Sequence, residues 1–283
     1  MEMSVGEALR NDPPDKEREF EFRDRDFRRI VQLVRATTGI ALTERKRDLV
    51  YSRLARRIRK LGLTDFESYC ALLDGEEAEA ECRELVNAIT TNMTSFFREA
   101  HHFEILQQEV FPALVAGPRL RVWSAGCSSG EEPYSIAMVL KDTLEKQWCP
   151  DAKILATDID TQVLEKAKAG LYRSEALQPV PLALRRKYVR GTEPCEIAPD
   201  VRALISFKPL NLLSSWPMKG PFDVIFCRNV VIYFDKPTQR TLFNRFAEML
   251  RPGGHLMIGH SESLLGVTDA FQHLGRTVYR RAG

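Results

Sequence analysis

Residues 121–140 read RVWSAGCSSGEEPYSIAMVL. An apolar run ends in a turn of small residues, and helical spacing of apolar positions follows. Four further short apolar stretches come later: AKILATDID, ISFKPLN, FDVIFCRN and GHLMIGHS. Amphipathic helical patterns follow the first, second and fourth of these five strands. Alternating strands and helices predict an α/β, doubly wound, mostly parallel sheet covered on both faces. Residues 180–205, VPLALRRKYVRGTEPCEIAPDVRALI, break the rhythm and predict a small inserted β-subdomain.

The chain before this region has a different period. Residues 1–20 are polar, contain Pro13-Pro14 and are expected to be a disordered lead-in. Residues 21–90 predict a helical N-terminal domain. Phe27, Ile30, Val31 and Val34 share one face, with Gly39 as a stop. A second helix starts after Thr43 and carries Leu49, Val50, Leu54, Ile58 and Leu61, ending at Gly62. Thr64 with Glu67 predicts a capping box for a third, and AEAECRELVNAIT a fourth. Residues 91–283 then form the second domain, with a loop and helix leading into the first strand.

Composition narrows the class. No apolar run approaches the roughly 18 residues of a membrane span, and no signal-peptide core opens the chain, so a cytoplasmic protein without membrane insertion is expected. The six cysteines lie far apart without a C-x-x-C pair, which suits reduced thiols and argues against zinc. The net charge of +2 hides a division. Residues 23–60 hold 13 Lys and Arg against 4 Asp and Glu, whereas residues 64–84 hold 8 acids and one base.

In an open α/β sheet, ligands collect at the carboxyl ends of the strands, near the point where strand order reverses. The first strand delivers SAGCSSGEEP there, with Gly126 and Gly130 able to adopt conformations closed to other residues. The phosphate fingerprint G-x-G-x-x-G is absent. Glu131 and Glu132 instead suit a cationic group such as an amine or sulfonium, or else complement the helix dipole. Asp158, at the end of the second strand, stands where a carboxylate commonly binds a ribose diol, and Asp160 suits the following N-cap. A ribose hook with an ammonium-binding glutamate describes S-adenosylmethionine better than NAD. Arg228, Asn229 and Tyr233 reach the same rim after the fourth strand, and Asn211 after the third. In the linker TTNMTSFFREAHHF, Asn92, Thr94 and Arg98 are free to cover a ligand or orient a substrate. His101 and His102 point to different faces, so an ordinary helix surface is expected there and no metal site.

Taken together, ITTNMTSFFREAHHF, RVWSAGCSSGEEPYSIAM, LATDIDTQVLEKAKAGLY, FDVIFCRNVVIYFD and LRPGGHLMIGHSESL resemble, in order, the CheR-type chemotaxis receptor methyltransferases. The resemblance covers about residues 20–280. It implies a Rossmann-like S-adenosylmethionine-dependent methyltransferase domain that methylates glutamate side chains of receptors and releases S-adenosylhomocysteine. It further implies that Glu132 binds the methionine ammonium and Asp158 the ribose. Asn92, Thr94, Arg98, Asn211, Leu212, Arg228 and Asn229 would add cofactor contacts, and Arg98 and Tyr233 would stand near the transferred methyl.

The resemblance also places the basic second helix, LVYSRLARRIRKLGL, against the cytoplasmic methylation helices of chemoreceptors. Arg53, Arg56, Arg57, Arg59 and Lys60 would speed that encounter, with no nucleic acid involved. Some family members also tether to a C-terminal receptor peptide through a glycine-rich loop of the inserted subdomain. The matching stretch here, YVRGTEPCEIAPDV, has one glycine, so tethering is not expected. Two other readings fit the same cofactor: an RNA methyltransferase drawn to phosphates by the basic helix, and a non-catalytic S-adenosylmethionine sensor.

Overall fold

The structure, a computed structural model, describes residues 18–75, 78–115, 117–146 and 149–283. Most of the expected lead-in lies outside the described residues. Its last residues do not match that expectation: Phe20 is buried beside Phe22, and its backbone N–H donates to Tyr51 Oη at 3.1 Å.

Four helices form the N-terminal domain: α1 (Asp24–Thr38), α2 (Arg47–Leu61), α3 (Phe66–Leu73) and α4 (Ala78–Ile89). Gly39 and Gly62 end α1 and α2 in left-handed conformations that glycine adopts without steric cost. The cap of α3 is Asp65 rather than Thr64. Its side chain accepts from Ser68 N, while the Thr64 hydroxyl only donates to Asp65. Phe27, Ile30, Val34, Leu54, Ile58 and Phe66 fill the core between these helices.

A linker leads to α5 (His101–Ile105), which continues through a π-helical turn, Leu106–Val110, into α6 (Phe111–Leu114). Next come β1 (Arg119–Ala125), α7 (Glu131–Leu144), β2 (Asp151–Asp158) and α8 (Thr161–Ala169). A small antiparallel sheet is then inserted, formed by β3 (Leu171–Tyr172), β4 (Val189–Arg190) and β5 (Cys195–Ile197), with α9 (Leu182–Tyr188) inside it. Its first strand precedes residue 180, because two residues carry too little pattern to announce a strand. The chain returns through α10 (Pro199–Arg202) to β6 (Ile205–Pro209), β7 (Phe222–Cys227), α11 (Lys236–Met249) and β8 (Leu250–Ile258). A closing hairpin, β9 (Phe271–Gly275) and β10 (Val278–Arg281), has no counterpart among the stretches picked out above.

The main sheet runs β6-β2-β1-β7-β8-β10-β9, parallel from β6 to β8, with β10 and β9 antiparallel at one end. Both faces are buried along the central strands β1 and β7, as their unbroken apolar runs require. On β1, Leu120 and Val122 face the layer containing α7, and Trp123 and Ala125 face the layer containing α11. Strand order reverses between β1 and β7, so their carboxyl ends open a crevice. Among the described residues, no helix is long and apolar enough to cross a membrane.

Candidate active site

The turn after β1 is held tightly. Gly126 N and Cys127 N both donate to Thr157 O, at 2.8 and 2.9 Å, tying the ends of β1 and β2 together. Gly126 has φ +93°, and a Cβ there would lie 2.4 Å from Val230 Cγ2, so no other residue fits. Ser128 N then donates to Asp158 Oδ2 at 2.8 Å, and Asp160 N to Asp158 Oδ1 at 2.9 Å. Asp160 itself caps α8. Burial outweighs these bonds and pushes the Asp158 carboxyl up to about 6.

Glu132, in the first turn of α7, is buried. Its Oε1 accepts from Ser124 Oγ at 2.7 Å, and its Oε2 from Arg228 Nε at 2.7 Å. Arg228 Nη1 reaches the Arg98 carbonyl at 2.5 Å, His102 Nδ1 at 3.1 Å and Glu99 Oε2 at 3.5 Å. One guanidinium thus stands between two carboxylates, and Glu99 Oε1 also meets His260 Nδ1 at 2.8 Å. Glu131 takes no part: its carboxylate accepts from Ser129 Oγ, and burial raises its pKa.

A cavity of about 330 Å³ joins these groups. Asn92, Thr94, Arg98, Glu132, Asp158, Asn211, Leu212, Arg228, Asn229 and Tyr233 all line it, so every residue picked from the sequence for cofactor or chemistry meets in one place. Thr38, Lys46 and Leu49 of the helical domain form part of the wall. Some side chains are less free than expected. Asn92 Nδ2 donates to Asp160 Oδ2 at 2.6 Å, Asn211 Nδ2 to Thr37 O at 2.6 Å, and Arg98 Nη1 to Met93 O at 2.8 Å.

Two important residues escaped the sequence reading. His102 is fully buried, not on an ordinary helix surface. It lies one helical turn before Leu106, on the flank of the Phe103–Leu106–Val110 stripe, and that spacing was the available signal. His101, His102 and Glu99 bring three ligand-type atoms within 4.8 Å, but Arg228 already occupies His102 Nδ1. Glu262, in the polar loop after β8, is the second. Its buried carboxylate accepts from the backbone N–H of Gly259, Asn229, Val231 and Ile232, at 2.6 to 3.4 Å. It fixes Asn229 at φ +58° and the 3-10 turn Val231–Tyr233. No periodicity marks such a residue.

The basic helix differs most from expectation. Arg53 does not face outward: its Nη1 caps the end of α4 at the carbonyls of Ile89 and Thr90, 2.5 and 2.7 Å away. Arg57 is an inward residue too, paired with buried Glu81 and with Glu84. Arg59 pairs with Glu19 on the surface. Arg56 and Lys60 are exposed and form no ion pair among the described residues. Arg25 and Arg29 likewise meet Glu67 and Asp74, so the folded domain lays the acidic segment against the basic one.

Residues 92–280 match the family model described as CheR methyltransferase, SAM binding domain, and residues 25–90 match CheR methyltransferase, all-alpha domain. The chain belongs to the CheR methyltransferase family. It is 48% identical over 262 residues to the chemotaxis protein methyltransferase of Klebsiella aerogenes, covering 90% of this chain and 89% of that one. The Escherichia coli chemotaxis protein methyltransferase is also 48% identical, over 265 residues and 90% of each chain. Chemotaxis protein methyltransferase 2 of Pseudomonas aeruginosa is 44% identical over 270 residues, 93% of this chain and 95% of that one. The cofactor of this chain is S-adenosylmethionine.

The donor set of the cavity fits that cofactor. Each oxygen of Asp158 and of Glu132 accepts one bond in the structure, which leaves acceptor capacity on both carboxylates. The remaining lone pairs of the Glu132 carboxylate, which lines the cavity, suit an ammonium. Leu210, Leu212, Ile159 and Val230 supply an apolar stretch of wall for a purine.

Proposed function

We propose that the protein methylates glutamate side chains on the cytoplasmic methylation helices of chemoreceptors, as part of chemotactic adaptation. S-adenosylmethionine supplies a methyl group already activated on a sulfonium. Asp158 would hold the ribose and Glu132 the ammonium, with Asn92, Thr94, Asn211, Leu212, Arg228 and Asn229 shaping the remaining contacts. The observation that carries the reading is the cavity itself. Its carboxylate-bearing floor lies at the strand ends, and its walls include Arg98, Tyr233 and the helical domain.

A glutamate at neutral pH is already a nucleophile and needs no strong base. The chain's task is alignment and exclusion of water. Arg98 offers a guanidinium fork for the incoming carboxylate. Tyr233 orients that carboxylate by its hydroxyl or packs against the sulfonium. Docking belongs to the exposed cations Arg56 and Lys60, with Arg59 at the edge, whereas Arg53 and Arg57 hold the helical domain together. Receptor peptide tethering is not part of the reading, since the β4–β5 connection carries only Gly191.

The test is incubation with methyl-labelled S-adenosylmethionine and receptor cytoplasmic fragments, alone and beside RNA. Label on the receptor polypeptide supports the reading. Label on RNA, or no transfer to a competent receptor, would overturn it.

A further inference from the structure

The Arg228 guanidinium has a choice of two carboxylates. Its Nε serves Glu132 at 2.7 Å, and its Nη1 lies 3.5 Å from Glu99 Oε2, a buried atom without a hydrogen bond. Two acceptors fix the Nη1 end: the Arg98 carbonyl and His102 Nδ1. A guanidinium only donates, so His102 Nδ1 must accept and the ring proton belongs on Nε2. From there it reaches Arg276 O at 3.2 Å and Thr277 Oγ1 at 3.0 Å, in the turn between β9 and β10. His101 Nε2 lies 3.0 Å from the same Arg276 carbonyl.

That turn is itself unusual. Arg276 and Thr277 have φ +48° and +61°, in the left-handed region that β-branched and long side chains avoid. Both imidazoles and the Thr277 hydroxyl converge on the carbonyl of Arg276. Burial, followed by the neighbouring Arg228, lowers the His102 pKa to about 3, in keeping with a neutral ring that accepts from a cation.

We infer that His102 is a positioning residue, clasped by the β9–β10 turn, that directs Arg228 toward Glu132 and so sets the carboxylate that receives the methionine ammonium. This inference rests on the assignment of Glu132 to the ammonium. Loss of the Nδ1 acceptor frees Nη1 to turn toward Glu99, and Glu132 loses its fixed geometry. A residue that merely fills space would be replaced without loss by one of similar volume.

The experiment measures S-adenosylhomocysteine affinity by calorimetry on the full chain. His102→Phe, which keeps the ring volume, should raise Kd about tenfold, the loss of one hydrogen bond to a charged group. His102→Asn, whose amide oxygen can stand near Nδ1, should recover most of the affinity, and His102→Gln less. If the phenylalanine variant does not fold, the Asn and Gln pair carries the comparison. The effect should fall on the cofactor Kd rather than on the receptor KM. In the unliganded protein, ring nitrogen NMR should show the Nε2–H tautomer. Equal affinity in the Asn and Gln variants, or an Nδ1–H tautomer, overturns the inference. Glu132→Gln separates the two levels. Unchanged affinity there would remove the ammonium assignment itself, whereas weakened affinity with unaffected His102 variants would remove only the role of His102.

Discussion

Glu132 Oε2 and Arg228 Nε, 96 positions apart in the chain, form an ion pair of 2.7 Å in which both side chains are more than nine-tenths buried. Removing one member leaves the other charged and desolvated. Arg228→Met should therefore cost about 3–5 kcal/mol of stability, measured by urea denaturation. The double variant Glu132→Gln, Arg228→Met should be more stable than Arg228→Met alone, because the Glu132 charge is no longer orphaned and only Glu99 loses its cation. Neither should bind S-adenosylhomocysteine as the parent chain does.

As the proposed ribose acceptor, Asp158 should make cofactor binding depend on pH. Its carboxyl titrates near 6 in the folded chain, raised by burial from about 3.9 when unfolded. The folded state thus holds this proton more readily, so ionising Asp158 removes stability as pH rises from about 4 to about 6, and no more beyond. Ribose hydroxyls need the ionised form as acceptor. S-adenosylhomocysteine affinity should fall as pH drops below about 6 and level off above 7. Asp158→Asn should bind weakly without that step. Calorimetric titration from pH 5 to 8 checks both.

The charge face of α2 divides into two groups. Reversing Arg56 and Lys60 to Glu should impair methylation of receptor fragments several-fold and increase with falling salt, while leaving cofactor affinity and thermal stability intact. Arg57→Ala should instead lower stability by about 3–5 kcal/mol, since it strands buried Glu81. Equal receptor effects from both changes would contradict the division.

Glu262 supports the loop that carries Asn229 and Tyr233. Glu262→Ala leaves backbone N–H groups unpaired, each worth roughly 1–3 kcal/mol when buried. Reduced stability should accompany a higher cofactor Kd. A stable variant with unaltered affinity would show that the loop holds its shape without the carboxylate.

How far the sequence revealed these features depends on how local their causes are. The SAGCSSGEE turn and the strand ends at Asp158 and Arg228 were legible, because apolar runs and small-residue turns report directly on the backbone. Gly39 and Gly62 were legible as stops for the same reason. Arg53 and Arg57 were not. In a helix they lie one turn apart, on a flank different from Arg56 and Lys60, and their partners at Ile89, Thr90 and Glu81 are 24 to 37 positions away. A charge run names the residues but not the side they take. The β9–β10 hairpin was equally hidden, since β9 is largely exposed and carries no apolar run. With it went the reason for burying His102.

Methyl transfer to a glutamate carboxylate in this cavity is tested by mapping the label on receptor fragments after reaction with methyl-labelled S-adenosylmethionine, then treating them with mild base. The expected result is label on glutamate side chains of the cytoplasmic helices, released as methanol by base, and lost when Glu132→Gln and Asp158→Asn are combined. Base-stable label, label on another residue type, or full activity in the double variant would contradict it.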